Sequence, residues 1–269
     1  SLRQNIGSLK NTGIEGLVSV AVLEGSFNWN VGFNFTANQS EILDLGTEEQ
    51  IIDGRLIHKE GESLYNYYLR DYAGVNPVNG AALWYNEDGD LTPLYADARR
   101  ILAGSPEADL FGGINTDFSW KGLSLSVNLE YKYGNEVLIE EQRYLNSDGY
   151  MWGNNQANTM LDYWKEPGDV TRNPIPIAGN TTQSNGYYSS RWMFDGSFLR
   201  LKNITLSYTL PTSLVNRLNL EQLRIYGSAV NAYTWHDVDF WDPERGVTGQ
   251  GFGIYPMSKS FVVGLDLTF

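Results

Sequence analysis

Aromatic side chains surrounded by Asn, Asp and Ser are the residues of this sequence with the clearest chemical potential. Flat ring faces beside amides and carboxylates suit stacking on sugar rings and hydrogen bonding to hydroxyl groups. Eight such aromatics fall in predicted loops, among them Trp164, Tyr187 and Tyr188. The preferred ligand-binding candidates are Trp84, Tyr150, Trp152, Trp235 and Trp241. The alternative is that these rings pack the loops together or dock a partner protein.

Metal binding and catalysis have weaker support. His58 and His236 are far apart and lack neighbours at ligand spacing, so we expect them to be loop residues. Residues 86–90 carry part of a calcium-loop pattern without a Glu at the twelfth position, which favours a plain turn. The sequence offers no specific Ser/His/Asp or Cys/His arrangement. We therefore predict no enzyme activity, no catalytic residue, no metal and no cofactor.

A cluster of acids lies late in the chain. Asp237, Asp239, Asp242 and Glu244 are close enough in sequence to hold a cation or to form a paired acid site. Their position in a predicted loop favours solvated carboxylates instead.

Composition excludes several classes of protein. The 269 residues carry a net charge of −13, which argues against nucleic acid as a partner because no basic patch can displace counterions from phosphates. There is no cysteine, so disulfides and thiolate metal sites are excluded. No run of about 18 apolar residues is present, which excludes a transmembrane helix.

Alternation of apolar and polar residues predicts the strands that position these side chains. The second strand has Phe and Trp on one face and Asn, Gly and Thr on the other, which suits a wet lumen better than a charged surface. A change of phase near Lys202 predicts a bulge. A short helix is predicted around residues 158–164, and a helical turn at 211–220. The predicted strands are residues 14–22, 27–36, 114–120, 123–131, 197–210, 223–234 and 261–269.

The connections between these strands alternate between short and long. Short turns at 24–25, 121–122 and 211–221 alternate with irregular stretches at about 46–108, 135–190 and 235–256. This asymmetry is typical of a bacterial outer-membrane barrel with long extracellular loops, and Trp120 and Tyr131 fit its two aromatic girdles. Seven strands would leave two unpaired edges in lipid. We therefore predict an all-β transmembrane antiparallel barrel, of which residues 1–269 form the C-terminal part.

Several stretches of the chain resemble the SusC/RagA-type TonB-dependent outer-membrane transporters. The most specific is residues 195–211, which begin Asp-Gly-Ser-Phe-Leu-Arg and end Thr-Leu-Pro. Lys259 departs mildly from the family pattern, where Arg is expected after the Tyr-Pro pair. The other matching segments are residues 11–15, 72–80, 164–169, 223–233, 242–244, 255–256 and the terminal Phe269.

The resemblance implies a fold and a function. The chain would be about the last seven strands of a barrel of about 22 strands, with the plug domain and the N-terminal strands absent. It would belong to an importer of large nutrients, usually glycans and sometimes peptides, in the outer membrane of a Gram-negative bacterium. The expected partners are a SusD-like surface lipoprotein, TonB through the absent N-terminal region, the remaining barrel and plug, and outer-membrane lipid.

Two other classes remain open. A soluble all-β carbohydrate-binding module or glycosidase would also be acidic, aromatic and rich in glycine. A small self-standing barrel would need an eighth strand, which the count of seven disfavours.

Overall fold

A computed structural model of the chain describes residues 7–151, 153–238 and 240–269. Strands dominate it, and the helices are short. The strands are β1 (Ser8–Leu23), β2 (Phe27–Asp44), β3 (Gln50–Asp53), β4 (Leu56–Lys59), β5 (Asn66–Arg70), β6 (Tyr72–Val75), β7 (Ala82–Tyr85), β8 (Leu91–Thr92), β9 (Arg100–Leu102), β10 (Leu110–Trp120), β11 (Leu123–Tyr133), β12 (Glu136–Leu138), β13 (Met193–Asp195), β14 (Phe198–Thr209), β15 (Gln222–His236) and β16 (Ser260–Thr268).

The α-helices are α1 (Glu140–Leu145) and α2 (Thr212–Val215). None of the helices in the described part of the chain has the length and apolarity that crossing a membrane requires. The 3-10 helices are Tyr95–Asp97, Asn158–Leu161, Ser190–Trp192 and Asn216–Leu218.

Seven long strands form one antiparallel sheet in the order β1-β2-β10-β11-β14-β15-β16. The seven predicted strands are therefore confirmed, although β2 continues to Asp44, beyond its predicted end. The predicted bulge is present, because the pairing of β14 with β15 shifts register between Leu201 and Asn203. The predicted short helix at 158–164 is a 3-10 turn, and α2 lies in the predicted helical turn.

The two faces of this sheet differ in chemistry over the central strands. Side chains alternate between faces, so residues in register across the strands share a face. One row on the apolar face contains Leu23, Trp29, Phe118, Leu125, Leu206, Gly227 and Val263. The adjacent row on the polar face contains Ala21, Asn30, Asp117, Ser126, Thr205, Ser228 and Val262. The predicted division into an apolar and a polar face thus holds for the central strands, while Ala21 and Val262 interrupt the polar row on the two edge strands.

The apolar face is exposed and bounded by aromatic side chains. Trp120 is 49% exposed beside the tight turn between β10 and β11. Tyr131, eight residues after Leu123, stacks on Phe33 with ring centroids 6.0 Å apart. At about 3.4 Å per residue, the eight-residue step from Leu123 to Tyr131 covers about 27 Å.

The tight turn between β10 and β11 depends on backbone that favours glycine. Lys121 has φ 47° and Gly122 has φ 87°. A Cβ on Gly122 would lie 2.5 Å from the carbonyl oxygen of Thr209. The short connection therefore also touches the neighbouring strand.

The two longer predicted irregular stretches contain regular structure, which corrects that expectation. Residues 46–108 form two small sheets, β3-β4-β5-β9 and β6-β7-β8. In the second stretch, β12 pairs with β13, which lies just beyond the predicted end of that stretch. These strands have two to five residues each. Such short elements give weak sequence periodicity and depend on packing with distant segments.

Candidate functional site

The three long connections meet at one end of the main sheet and form a packed unit, here called the loop assembly. It comprises the described residues of 45–109, 134–197 and 237–259. Leu56, Tyr67 and Leu69 of the first connection share a buried core with Leu138 and Trp192 of the second. These long-range contacts make the loop assembly a structured cap rather than a set of independent loops.

Tyr67 links the first connection to the third. Its hydroxyl donates a hydrogen bond to the carbonyl oxygen of Thr248 at 2.8 Å. Burial, partly opposed by a backbone hydrogen bond involving Leu138, raises the pKa of Tyr67. The phenol therefore stays protonated and remains a donor at any pH the protein meets.

A buried ion pair joins the second and third connections. Arg245 Nη1 lies 3.1 Å from Glu141 Oε1, and the two side chains are 1% and 6% exposed. The same carboxylate oxygen accepts a hydrogen bond from the backbone N–H of Gly253 at 3.0 Å. A carboxylate that accepts both charged and backbone donors is held strongly in place.

A second ion-pair group, here called the Arg200 clamp, ties the third connection to the main sheet. The guanidinium of Arg200 in β14 is completely buried and contacts Asp242 Oδ1 at 2.6 Å and Glu244 Oε2 at 2.5 Å. Its Nε donates to Thr234 Oγ1 of β15 at 3.0 Å. The expectation of a solvated carboxylate is wrong for Asp242, which is 13% exposed and binds a buried cation from a distant strand. Glu244 binds the same cation but remains 44% exposed.

The other acids of that cluster do not join the clamp. Asp237 is exposed, and Asp239 lies outside the described residues. No group of three or more potential metal ligands is found in the described ranges 7–151, 153–238 and 240–269.

Two of the remaining candidates for metal binding, His58 and the turn at 86–90, have structural partners. His58 Nδ1 lies 2.7 Å from the carbonyl oxygen of Leu64. His236 is the last residue of β15 rather than a loop residue. Asn86 Oδ1 accepts the backbone N–H groups of Asp88 and Asp90 at 3.1 and 2.8 Å, as expected for a plain turn.

A pocket of about 640 Å³ lies between the polar face of the main sheet and the loop assembly. The sheet contributes Glu130, Lys132 and Phe198, while Glu107 and Val247 come from two of the long connections. Apolar surface and charges of both signs thus border one space. Such a lining can accept a large ligand with apolar and polar parts.

The structure does not bring together Trp84, Tyr150, Trp235 and Trp241, the four predicted aromatics that it describes. Trp84 is 0% exposed and packs edge-on against Tyr72 and Tyr95, each with ring centroids 5.1 Å away. As placed, it stabilises the loop and offers no ring face to a ligand. Tyr150 is 45% exposed on the loop assembly. Trp152 lies outside the described residues.

Trp235 and Trp241 occupy different settings. Trp235 belongs to β15 rather than to a loop, which corrects the predicted boundary. It is 49% exposed on the apolar face, in register with Leu199 and Tyr131. This position suits an aromatic girdle better than a ligand site. Trp241 is half-buried and packs against the core that contains Val238.

A group of arginines and tyrosines on the loop assembly was not predicted as a unit. Arg55 lies over the ring of Tyr187 at 3.8 Å, and Arg143 lies 5.1 Å from the same ring. Tyr187 contacts Tyr188 with centroids 4.8 Å apart, and Arg100 lies 4.8 Å from Tyr188. We call these five residues the arginine–tyrosine cluster. The adjacent tyrosines were visible in the sequence, but the three arginines come from separate segments.

Comparisons with known proteins agree with one another in both sequence and structure. No family model matches the chain. TonB-dependent receptor P3 of Formosa agariphila is 28% identical over 301 residues, which cover 99% of this chain and 29% of that protein. TonB-dependent receptor SusC of Bacteroides thetaiotaomicron is 24% identical, over 100% of this chain and 27% of that protein. The chain therefore spans less than a third of the length of these relatives.

Solved structures give the same result. The RagAB peptide transporter superposes with a TM-score of 0.84 and 28% identity, over 99% of this chain and 30% of that chain. The RagAB peptide importer in its open-open state gives a TM-score of 0.84 as well. The homologues of this chain are therefore TonB-dependent receptors, including SusC. RagAB is a structural neighbour, and the antiparallel sheet matches the barrel portion of such receptors.

Proposed function

We propose that this chain is part of an outer-membrane TonB-dependent importer of large nutrients, either glycans and oligosaccharides or peptides. The observation that carries this proposal is the two-faced main sheet, whose apolar row crosses all seven strands. Its similarity to TonB-dependent receptors along 99% of its length supports the same function.

The exposure of the apolar face supports a membrane location. Leu206 is 51% exposed, Val263 84% and Leu265 62%. Removing a side chain of this kind from water gains about 1.5–3 kcal/mol, so a face of such residues is costly in water and favourable in lipid. The stretch of strand from Leu123 to Tyr131, tilted by about 40°, would have a height of about 20 Å. This height is close to that of the apolar band of an outer-membrane barrel. A soluble carbohydrate-binding module would not expose this face.

The polar face and the loop assembly would then line the path of the nutrient. We propose that residues 1–269 are the C-terminal part of a barrel of about 22 strands, whose other strands and plug lie elsewhere in the protein. The pocket beneath the loop assembly would border the lumen. In this arrangement the loop assembly faces the outside of the cell.

The proposed partners follow from this orientation. A SusD-like surface lipoprotein would dock on the loop assembly, and TonB would act through a region outside this chain. The buried ion pairs of the loop assembly, such as Arg245 with Glu141, support this role because a partner needs a preorganised surface.

Fractionation followed by uptake measurements tests the proposal. The protein should be extracted from the outer membrane only with detergent, and its gel mobility should change on boiling. Deleting its gene, or the gene for TonB, should abolish growth on the same nutrient. Recovery of the protein from a detergent-free soluble fraction, or growth independent of both genes on every glycan and peptide tried, would contradict it.

A further inference from the structure

The apolar face of the main sheet carries a groove beside the tight turn between β10 and β11. It has a volume of about 530 Å³, and every residue that lines it except Ser119 is apolar. The lining crosses the four adjacent strands β2, β10, β11 and β14, which extend over about 14 Å at about 4.8 Å between neighbours. The lining residues are Phe27, Phe118, Ser119, Trp120, Leu123, Leu125 and Leu206.

One wall of the groove consists of aromatic rings that hold one another in place. Trp29 stacks on Phe118 with ring centroids 5.6 Å apart and an angle of 17° between the ring planes. Phe27 lies 6.1 Å from Phe118. The indole N–H of Trp29 donates to Thr116 Oγ1 at 2.8 Å, so this polar group is satisfied within the sheet. The wall is therefore preformed, and an apolar ligand can bind it without first ordering these side chains.

A lysine without an acidic partner lies at the end of the groove. Lys121 and Gly122 form the turn between the paired residues Trp120 and Leu123, which both line the groove. The Nζ atom of Lys121 lies 5.1 Å from the centroid of the Trp120 ring. No ion pair joins Lys121 to a carboxylate in the described part of the chain. A positive charge thus borders an apolar groove.

The backbone of this turn does not favour lysine. Both turn residues have positive φ, 47° at Lys121 and 87° at Gly122. A two-residue hairpin turn of this kind prefers Asn followed by Gly, because most other side chains are strained in left-handed backbone. The geometry of the turn therefore gives no reason for a lysine at this position. Strained backbone that is kept in spite of its cost is typical of positions with a function.

We propose that this groove and Lys121 together bind one anionic phospholipid, with an acyl chain along the groove and the phosphate at the lysine Nζ. This inference rests on the proposed function, because it needs the apolar face to lie in a membrane. In that orientation the loop assembly faces the outside of the cell, so Lys121 lies at the periplasmic leaflet, which consists of phospholipids.

The two parts of the site define the class of ligand. The apolar lining suits an acyl chain, and the unpaired ammonium group suits an anionic head group. Lysine binds phosphate as a point charge, and its apolar stem can lie along the groove while its Nζ reaches the head groups. A zwitterionic lipid would fill the groove equally well but would gain less from Lys121.

The number and type of lipids bound to the purified protein test this inference. The intact protein, with any lipoprotein that remains bound, would be purified in detergent. It would then be titrated with phosphatidylglycerol or with phosphatidylcholine carrying the same acyl chains, and native mass spectrometry would count the bound lipids. We expect one phosphatidylglycerol to bind about fivefold more tightly than phosphatidylcholine, which is the factor that one lysine near a membrane surface contributes.

Variants of the turn test the role of the charge. Lys121→Asn removes the charge and introduces the residue that the turn prefers, so a loss of lipid cannot be assigned to misfolding. It should weaken phosphatidylglycerol about fivefold and leave phosphatidylcholine unchanged. Lys121→Arg should keep the preference. Arg217→Asn is the matched control, since it removes one exposed charge on the same side of the sheet, and it should have no effect.

A second pair of variants tests the groove. Leu206→Trp fills the groove and should abolish the one-to-one binding of both lipids. Leu265→Trp makes the same change at a residue that is 62% exposed on the same face but does not line the groove. It should bind both lipids as the unaltered protein does. A change in gel mobility on boiling would verify that each variant folds.

Several results would overturn the inference. One is equal affinity for the two lipids; another is an equal loss in the Arg217 or Leu265 control. A third is binding of lipopolysaccharide, rather than phospholipid, that depends on Lys121. Recovery of the protein from a detergent-free soluble fraction would refute the proposed function itself. A protein that needs detergent for extraction but binds neither lipid in a fixed ratio would refute this inference alone.

Discussion

Breaking the Arg200 clamp should release the third connection from the main sheet. Arg200→Met keeps the length of the side chain and removes its charge, leaving two carboxylates without their cation. Arg200 is 0% exposed, Asp242 13% and Glu244 44%. Removing one partner of a fully buried ion pair costs about 3–5 kcal/mol.

The exposure of Glu244 reduces this cost. Water can solvate a carboxylate that is almost half exposed, so its pairing contributes little more than a surface ion pair. We therefore expect a local destabilisation of about 2–3 kcal/mol, most of it from Asp242. This corresponds to about 30- to 150-fold more frequent opening of the loop.

Amide hydrogen exchange followed by mass spectrometry measures this opening. Peptides covering residues 240–259 should exchange faster by that factor in the Arg200 variant, while peptides from β10 and β11 should not change. Arg224→Met is the matched control, since its ion pair with Asp266 spans 3.2 Å and both side chains are at least 40% exposed. Its removal should cost at most about 1 kcal/mol.

A combined variant provides the decisive comparison. Adding Asp242→Asn and Glu244→Gln to the Arg200 variant removes the uncompensated charges and should recover part of the protection. If exchange in residues 240–259 is unchanged by Arg200→Met, or equals that of the Arg224 variant, the clamp does not hold the loop.

Three further predictions concern a turn, a buried ring and a carboxylate. Gly122→Ala should lower the free energy of unfolding by about 1–3 kcal/mol, because it places a Cβ on left-handed backbone and against the carbonyl oxygen of Thr209. A lower yield of folded protein, recognised by its change in gel mobility on boiling, would show this. Trp84→Ala should destabilise the first connection by about 3–5 kcal/mol, because the ring is fully buried. Proteolysis within residues 45–109 should become faster, and an unaltered cleavage rate would contradict the buried packing. Backbone hydrogen bonds from Lys165 and Glu166 lower the pKa of the partly exposed Asp169. The protection of this turn against exchange should therefore be complete above the ordinary carboxyl pKa and be lost as pH falls through the lowered pKa. Exchange at those two amides should show that acid dependence, and Asp169→Asn should remove it.

The strands of the main sheet could be predicted because their signal is local and repeated. Phe27, Trp29 and Phe33 alternate with polar residues whatever the rest of the chain does, and the phase change at Lys202 marks the bulge directly. The end of β2 was missed because alternation fades after Thr36, while pairing with β1 continues to Asp44.

The candidate site was much less predictable, since it is built from segments far apart in the chain. A Trp in a polar stretch was taken as exposed, but Tyr72 and Tyr95 enclose Trp84. Asp242 was taken as solvated because its partner, Arg200, lies 42 residues earlier. Only tertiary contacts decide whether such a ring or carboxylate faces water.

The length of the first connection has a consequence for how this protein can diversify. The chain from Leu45 to Asp109 separates two adjacent strands of the main sheet, yet closure entropy grows only with the logarithm of length. Compared with a ten-residue loop, closing it costs about 1.7 kcal/mol more, and its own small cores can offset that amount. Insertions and replacements in this region therefore leave the wall of strands nearly unaffected. Under the proposed function, the surface that recognises the nutrient could change while the strands that cross the membrane stay the same.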